Sequence, residues 1–436
     1  MEKPERKIEH LIVISYDSFS ISDWDLAKNL PNLKRLIETG SYSTSLRSVY
    51  PTLTYVVHST IVTGCWPDRH GVFHNNPLQP FIEEKDQFWH WYRKDIKVPT
   101  IYELAKQNGF VAAGILWPVT GKADIKYNLP ELAAVRGENQ ILKILKNGNP
   151  FYSLEMQMRF GKYRNGINQP ELDDFSTMCA CHTIKTKKPG LLLLHLIDLD
   201  DTKHRFGAKS DEARNAILRM DDRIGSIVNS VEAAGLSDHT AIIILGDHGQ
   251  LDVRYKVHLN NLLLDNGLIE KSGEGYDWKA YLQSADGCAY LHVKPGEEWA
   301  EEKALQVLRS ALDSEKYGIE QIFDRNTLDS MRAWKGVNWA VEAKEGYKFV
   351  DPVGSEIVED LSKSDIRHAT HGYSPKKPGY SCCFVASGPG IRKNFDVGEI
   401  DMVDVAPTLA AILGFDMPGT DGKAVYDIFE KSEIGY

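Results

Sequence analysis

Five short runs of almost unbroken hydrophobicity constrain this chain most: Leu11–Ile14, Val111–Leu116, Leu191–Ile197, Ala241–Leu245 and Cys383–Ala386. A strand with one wet face alternates apolar and polar residues. Continuous runs instead suit strands buried on both faces, as in a parallel sheet covered by helices. Helical patterns lie between the runs. One starts at Ser210 as N-cap, sets Ile217, Met220, Ile224, Ile227 and Val231 on one face, and stops at Gly235. Alternating strands and helices predict an α/β domain with a mostly parallel central sheet sandwiched by helices. Ligands of such sheets bind beyond the carboxyl ends of the strands. Asp17, Asp200 and Asp247 each follow a strand candidate at that end, so the pattern brings three carboxylates together.

A chain of 436 residues can bury one large domain and a smaller one. The stretch from Gln283 to Lys363 differs in character, with a strand (CAYLHV), a charged amphipathic helix (EEWAEEKALQVLRSALDS) and short mixed elements. It reads as an α+β subdomain, 283–363, inserted into a main domain of 1–282 and 364–436. DMVDVAPTLAAILGF reads as a turn and a short helix closing the main domain.

The formal net charge of -10 offers no footprint for a nucleic-acid polymer or an anionic membrane. An anionic substrate would need local positive charge, which bound metals supply. No stretch has the length of a membrane span, and MEKPERKIEHLIVISYD reads as a first strand rather than a signal peptide. Six scattered cysteines do not suggest a disulfide framework. A cytoplasmic protein with reduced thiols is expected.

The motifs carry metal chemistry, each with a plainer alternative. Asp247-His248-Gly249 pairs a carboxylate with an imidazole between glycines, as a zinc site uses, or is a capped strand end. Asp200 and His204 are four apart and can share one face of a helical turn; Asp201 is the alternative ligand. His371 sits in a glycine turn, with His368 its competitor. Asp17 alone could cap the next helix. Thr54 precedes a helix, Tyr55–Thr63, ending at Gly64. Its hydroxyl would meet free N–H groups there, or it is simply an N-cap; Thr52 is its neighbour and rival. Asn75 could donate to a phosphate oxygen, with Asn76 adjacent. Cys65-Trp-Pro-Asp-Arg looks like a sulfatase motif, and Cys179-Ala-Cys181-His182 like a metal cluster. Cys-x-Cys side chains on a helix point apart, however, and no second pair completes a site.

In this order, SYDSF, PTLTYVVHSTIVTGCWPDRHGVFHNN, ILWP, DLDDTKHRFG, IIILGDHG and THGY resemble the alkaline phosphatase superfamily. The branch they look most like is the type I phosphodiesterase/nucleotide pyrophosphatase family. The resemblance implies an alkaline-phosphatase-like fold and two Zn2+ ions, with Mn2+ a possible substitute. It implies Thr54 as nucleophile and Asp200, His204 and His371 on one ion. Asp17, Asp247, His248 and the Thr54 oxygen fall on the other, with Asn75 binding the oxyanion and Tyr55 stacking on a nucleoside. It also disposes of the sulfatase motif: the modified cysteine of sulfatases aligns with Thr54, and Cys65 lies on the wrong side of Thr63-Gly64.

The implied activity is hydrolysis of a phosphodiester or nucleotide pyrophosphate, a small-molecule phosphate ester, through a phosphothreonine. Two features depart from the nucleotide-cleaving members. Tyr-Val-Val-His follows the nucleophile's position where they commonly have Phe-Pro-Asn-His, and the secretion signal and cysteine-rich modules of extracellular members are not expected. Competing readings are a phosphonoacetate-type carbon–phosphorus hydrolase, which could use Lys122 and Lys126 for a carboxylate, and a phosphomonoesterase. A metal-stabilised binding protein is disfavoured because a threonine still stands at position 54. The oligomeric state is not legible in the sequence.

Overall fold

The computed structural model describes residues 8–363 and 368–430. Its central sheet is built from β1 (His10–Tyr16), β2 (Gly40–Arg47), β3 (Ala112–Ile115), β4 (Tyr127–Leu129), β5 (Leu191–Leu196), β6 (Thr240–Leu245), β17 (Cys382–Ser387), β18 (Phe395–Asp396) and β19 (Glu399–Asp401). The order is β18-β2-β17-β6-β1-β5-β3-β4, with β19 also on β2. All pairings are parallel except those of β17, which runs antiparallel to both β2 and β6. The continuous apolar pattern of Cys383–Ala386 thus reports burial on both faces, not strand direction.

Alternate residues of the inner strands feed two cores. Leu11, Val13, Leu191, Leu193, Ile243 and Leu245 join a cluster with the helices Thr54–Thr63 and Val405–Ile412. Ile12, Ile14, Leu192, Leu194, Ile242 and Ile244 join another, against the helices Glu171–Lys187 and Asp211–Ala233. The second of these helices carries its apolar stripe where expected, and Ser210 Oγ caps it by accepting from Ala213 N–H at 3.1 Å. A mostly parallel sheet covered on both faces by helices is the α/β arrangement expected from the sequence.

Three further sheets follow β6 in the chain. β7 (Leu251–Val257) pairs with β14 (Gly346–Phe349), β15 (Val358–Asp360) and β16 (Ala369–Thr370). A hairpin, β8 (Ile269–Ser272) and β9 (Gly275–Trp278), leads into an antiparallel sheet of β10 (Ala280–Ser284), β11 (Cys288–Val293), β13 (Trp339–Ala343) and β12 (Ile319–Phe323). The helix Trp299–Asp313 covers that sheet through Ala304, Leu305 and Leu308. This third core also takes in Val257, Leu263 and Leu268, upstream of Gln283, together with Tyr373 and Tyr380.

Glu342 on β13 lies inside this lobe, accepting from Ser374 N–H at 2.7 Å. Burial pushes its carboxyl from the ordinary 4.5 up to about 8. The stability linked to a raised acid is fully present below its unfolded pKa and is lost as pH climbs to the folded one. The loss therefore falls between pH 4.5 and about 8. Glu342→Gln keeps the acceptor and removes the titration. The variant should gain on the wild type by at most about 1.4 kcal/mol per pH unit across this window, measured by urea unfolding at pH 5, 6, 7 and 8. Parallel pH profiles would contradict this.

Candidate active site

The carboxyl ends of β1, β5 and β6 are neighbours, because β1 lies between the other two. Asp17 follows β1, Asp247 and His248 follow β6, and Asp200 and His204 lie on the helix Asp198–Phe206 that follows β5. His371 follows β16, which β7 places beside this edge. Thr54 opens the helix Thr54–Thr63. None of these seven residues is more than 8 % exposed. They therefore form a nearly water-free cluster rather than a solvated acidic loop.

Thr54 is not the N-cap. Leu53 holds that extended position and Thr54 is the first helical residue, so its hydroxyl is not consumed in capping. Thr54 Oγ1 lies 3.3 Å from His248 Nε2. The same nitrogen is 3.3 Å from Asp17 Oδ1 and from Asp247 Oδ2. Thr52 is used otherwise: its hydroxyl donates to Tyr373 O (2.8 Å) and accepts from Gly372 N–H (3.0 Å), pinning the His371 turn.

Contacts separate the remaining alternatives within the motifs. Asp200 Oδ2 is 3.4 Å from His204 Nε2, and Oδ1 is 4.0 Å from His371 Nε2. Asp201 points to Arg205, and Asp198 is held by Arg219 and Arg223. His371 stacks on His248 with ring centroids 3.9 Å apart. His368 meets the site only through its backbone, its N–H donating to His204 O. Asn75 Oδ1 accepts from Tyr55 N–H at 3.0 Å, leaving its amide hydrogens to donate, whereas Asn76 pairs with Gln87. Cys65 is buried near Gly419, and Cys181 Sγ reaches Ser226 O while Cys179 lies in the core. Lys122 and Lys126 are exposed, resting over the rings of Tyr92 and Tyr127.

Four donor groups are aimed by their own partners. His204 Nδ1–H donates to Ala369 O (2.9 Å) and His371 Nδ1–H to Thr52 O (3.0 Å), turning both Nε2 lone pairs inward. Asp247 Oδ1 accepts from the N–H groups of Ser18 (3.0 Å) and His248 (2.9 Å), and Ser18 reaches it through a left-handed backbone (φ 70). Gln250 donates to Asp200.

The electrostatics are those of a cation site. Burial first, then the charge of Asp200, push the Asp17 carboxyl up to about 7, against the opposing hydrogen bond from His195. Burial and Asp17 likewise raise Asp247 well above the carboxylate range. Burial, then His371 and His204, hold His248 far below the usual histidine range, as a neutral ligand. Asp17 Oδ1 and Asp247 Oδ2 are buried acceptors with no hydrogen-bond donor among the described residues. Asp17, Asp247 and His248 offer donor atoms within 4.8 Å of one another, as do Asp200, His248 and His371. This oxygen and imidazole set fits zinc, and its three carboxylates also suit manganese. His248 stands where the two groups meet, and His204 approaches the second through Asp200.

Some residues of the site are not evident from the motifs. His195, alone in the apolar run of β5, bridges Asp17 Oδ2 (3.1 Å) and Glu131 Oε2 (2.9 Å). Its only sequence signal is an imidazole where every neighbour is apolar. His58, one turn after Thr54, donates from Nδ1 to Thr54 O (2.8 Å) and faces Asp247 at 3.5 Å. Glu131 also accepts from Tyr55 OH at 3.1 Å. The Tyr55 ring packs edge-on to Trp89 and is 2 % exposed.

Comparison with known proteins agrees with this architecture. Residues 11–374 match the type I phosphodiesterase / nucleotide pyrophosphatase family, and the chain belongs to it. Venom phosphodiesterase 2 of Crotalus adamanteus is 26% identical over 429 residues, covering 92% of this chain and 45% of that protein. A pyrophosphatase/phosphodiesterase of Schizosaccharomyces pombe is 24% identical over 445 residues, covering 96% of this chain and 79% of the other. The chain thus spans less than half the length of the venom relative. Murine ectonucleotide pyrophosphatase/phosphodiesterase 5, solved as an inactive variant in complex with AMP, superimposes with a TM-score of 0.69 at 18% identity. That match covers 98% of this chain and 100% of the other. At that identity it speaks for the shared fold.

The His371 turn supplies a test of the local packing. Gly372 has φ +88, and a Cβ there would lie 1.7 Å from Ala285 O. Gly372→Ala should destabilise the protein by about 2 kcal/mol or more, through the left-handed backbone and the clash together. Urea unfolding would show it; an unchanged midpoint would contradict the placement.

Proposed function

We propose that this protein is a metal-dependent phosphodiesterase that attacks phosphorus through Thr54. The observation that carries the reading is the Thr54 hydroxyl, free of capping duty, 3.3 Å from His248 Nε2 within the Asp17–Asp247 cluster. Asp17, Asp247 and His248 would hold one zinc ion beside Thr54, and Asp200, His204 and His371 a second. Such ions supply charge that acidifies the threonine hydroxyl and neutralises the phosphoryl oxygens.

The chain's own groups do the rest. The helix N-terminus aims Thr54 Oγ1 at phosphorus and offers its open end to phosphate. The new Thr54 O–P bond forms as the bond to the leaving alcohol or phosphate breaks, giving a phosphothreonine. The Asn75 amide, fixed by its bond from Tyr55 N–H, donates to an equatorial oxygen. Water then cleaves the O–P bond of the phosphothreonine and restores Thr54. His58, through Thr54 O, and His195, through Asp17, hold this geometry.

The substrate is a small phosphate ester, and the names of the relatives make nucleotide diesters and pyrophosphates the first classes to test. A carbon–phosphorus hydrolase is less well supported. Lys122 and Lys126, the cations it would need for a carboxylate, are exposed and do not line the cavity beside Thr54.

Thr54→Ala should lower kcat on bis-p-nitrophenyl phosphate by roughly a thousandfold or more while zinc content stays near that of the wild type. Asn75→Ala should lower it by about 10²–10³. Steady-state kinetics paired with metal analysis check both. An alanine variant at position 54 with near-normal kcat would rule out the covalent route.

A further inference from the structure

A cavity of ≈ 370 Å³ opens beside the nucleophile. Tyr55, next to Thr54, and Asp201, next to Asp200, are both among its lining residues. The other walls are apolar, notably Leu116, Leu129, Leu132, Ile144, Leu172 and Phe175.

Most polar side chains on those walls are already engaged. Glu131 holds Tyr55 OH and His195. Gln140 accepts from Ala134 N–H and donates to Leu132 O. Gln169 is paired with Asp173, and Arg164 donates twice to Gln157. Ser153 Oγ is an exception, buried without a hydrogen-bond partner among the described residues. A base edge or a ribose hydroxyl entering here would have to break existing bonds or lose its own to water, and both are costly. The Tyr55 ring, edge-on to Trp89 and almost wholly covered, offers little face for stacking. A hydrocarbon asks nothing of these groups.

The apolar character continues outward. Ile141, Leu154 and Ile167 line the cavity and are 56%, 49% and 69% exposed. Leu142, Phe151 and Met158, on the helices Gln140–Asn147 and Pro150–Phe160, are exposed as well. Water-exposed apolar side chains so concentrated at a cavity mouth mark a binding surface.

We propose that this cavity holds a hydrocarbon chain esterified to the phosphate that Thr54 attacks, so that amphiphilic phosphodiesters are the substrates. This rests on the phosphodiesterase reading above.

The test is kcat/KM of the zinc-loaded protein on methyl, butyl, hexyl and octyl p-nitrophenyl phosphate, each below its micelle-forming concentration. Thymidine 5′-(p-nitrophenyl) phosphate is run beside them. In each ester Thr54 displaces p-nitrophenolate and the other group stays on phosphorus. Each added methylene should raise kcat/KM about three- to fourfold until the cavity is full, mainly through KM, and the octyl ester should exceed the thymidine ester. Ile144→Trp, which fills the cavity, should cut the octyl-to-methyl ratio by roughly tenfold or more.

Calorimetric binding of octyl phosphate against ethyl phosphate reads the same preference in the wild type without turnover, should the variant not fold. Turnover of the methyl ester with no dependence on chain length, or a preference for the thymidine ester, would overturn the inference and leave the phosphodiesterase standing. No turnover of any ester would remove the phosphodiesterase reading itself, and the inference with it.

Discussion

Asp17, Asp200 and Asp247 are crowded together at the carboxyl ends of three adjacent parallel strands, nearly out of reach of water. Like charges in such a place repel one another and resist desolvation, which is why Asp17 and Asp247 are driven toward protonation. A fold that keeps such a cluster needs something to neutralise it. His195 supplies part of this, its own hydrogen bonds to Asp17 and Glu131 outweighing a burial that would discharge it. His248, held neutral by its burial, adds a lone pair rather than charge. What remains is a demand for cations, and the family's metal chemistry answers it.

Much else follows from holding that cluster still. Buried Lys203 ties the loop after β1 by donating to Ser18 O and Asp23. Ser48 Oγ donates to Asp247 O. Thr52 and Gly372 fix the His371 turn from the other side of the cleft. Thr54 is presented to the cluster by a helix whose opposite end closes at Gly64 against Pro407 and Thr420, near the C-terminal helix. The DMVDVAPTLAAILGF segment thereby supports Thr54 at a distance.

The main features of this arrangement are legible in the sequence because they rest on local rules. Continuous apolar runs mark strands buried on two faces, and an aspartate after such a run lies at the ligand end of the sheet. Four-residue spacing puts Asp200 and His204 on one helical turn, and a glycine after a histidine marks a tight turn. What depends on distant pairing is not legible. The direction of β17 is set by its neighbours β2 and β6, not by its own residues. Leu53 rather than Thr54 takes the N-cap because of how the preceding loop enters the helix. Glu131 and His195 become partners only when the loop after β4 folds over β5. The cavity is likewise assembled from side chains spread between Tyr55 and Asp201. The same packing determines its apolar character, and with it which ester group can lie beside Thr54.

The most direct test of the cation demand is zinc uptake by the metal-stripped protein, followed by competition with a chromogenic chelator and by thermal unfolding. Two equivalents should bind, and the melting temperature should rise with free zinc as mass action requires. Contradiction would come from the absence of saturable uptake, or from uptake unchanged when Asp17 and Asp247 are both replaced by asparagine.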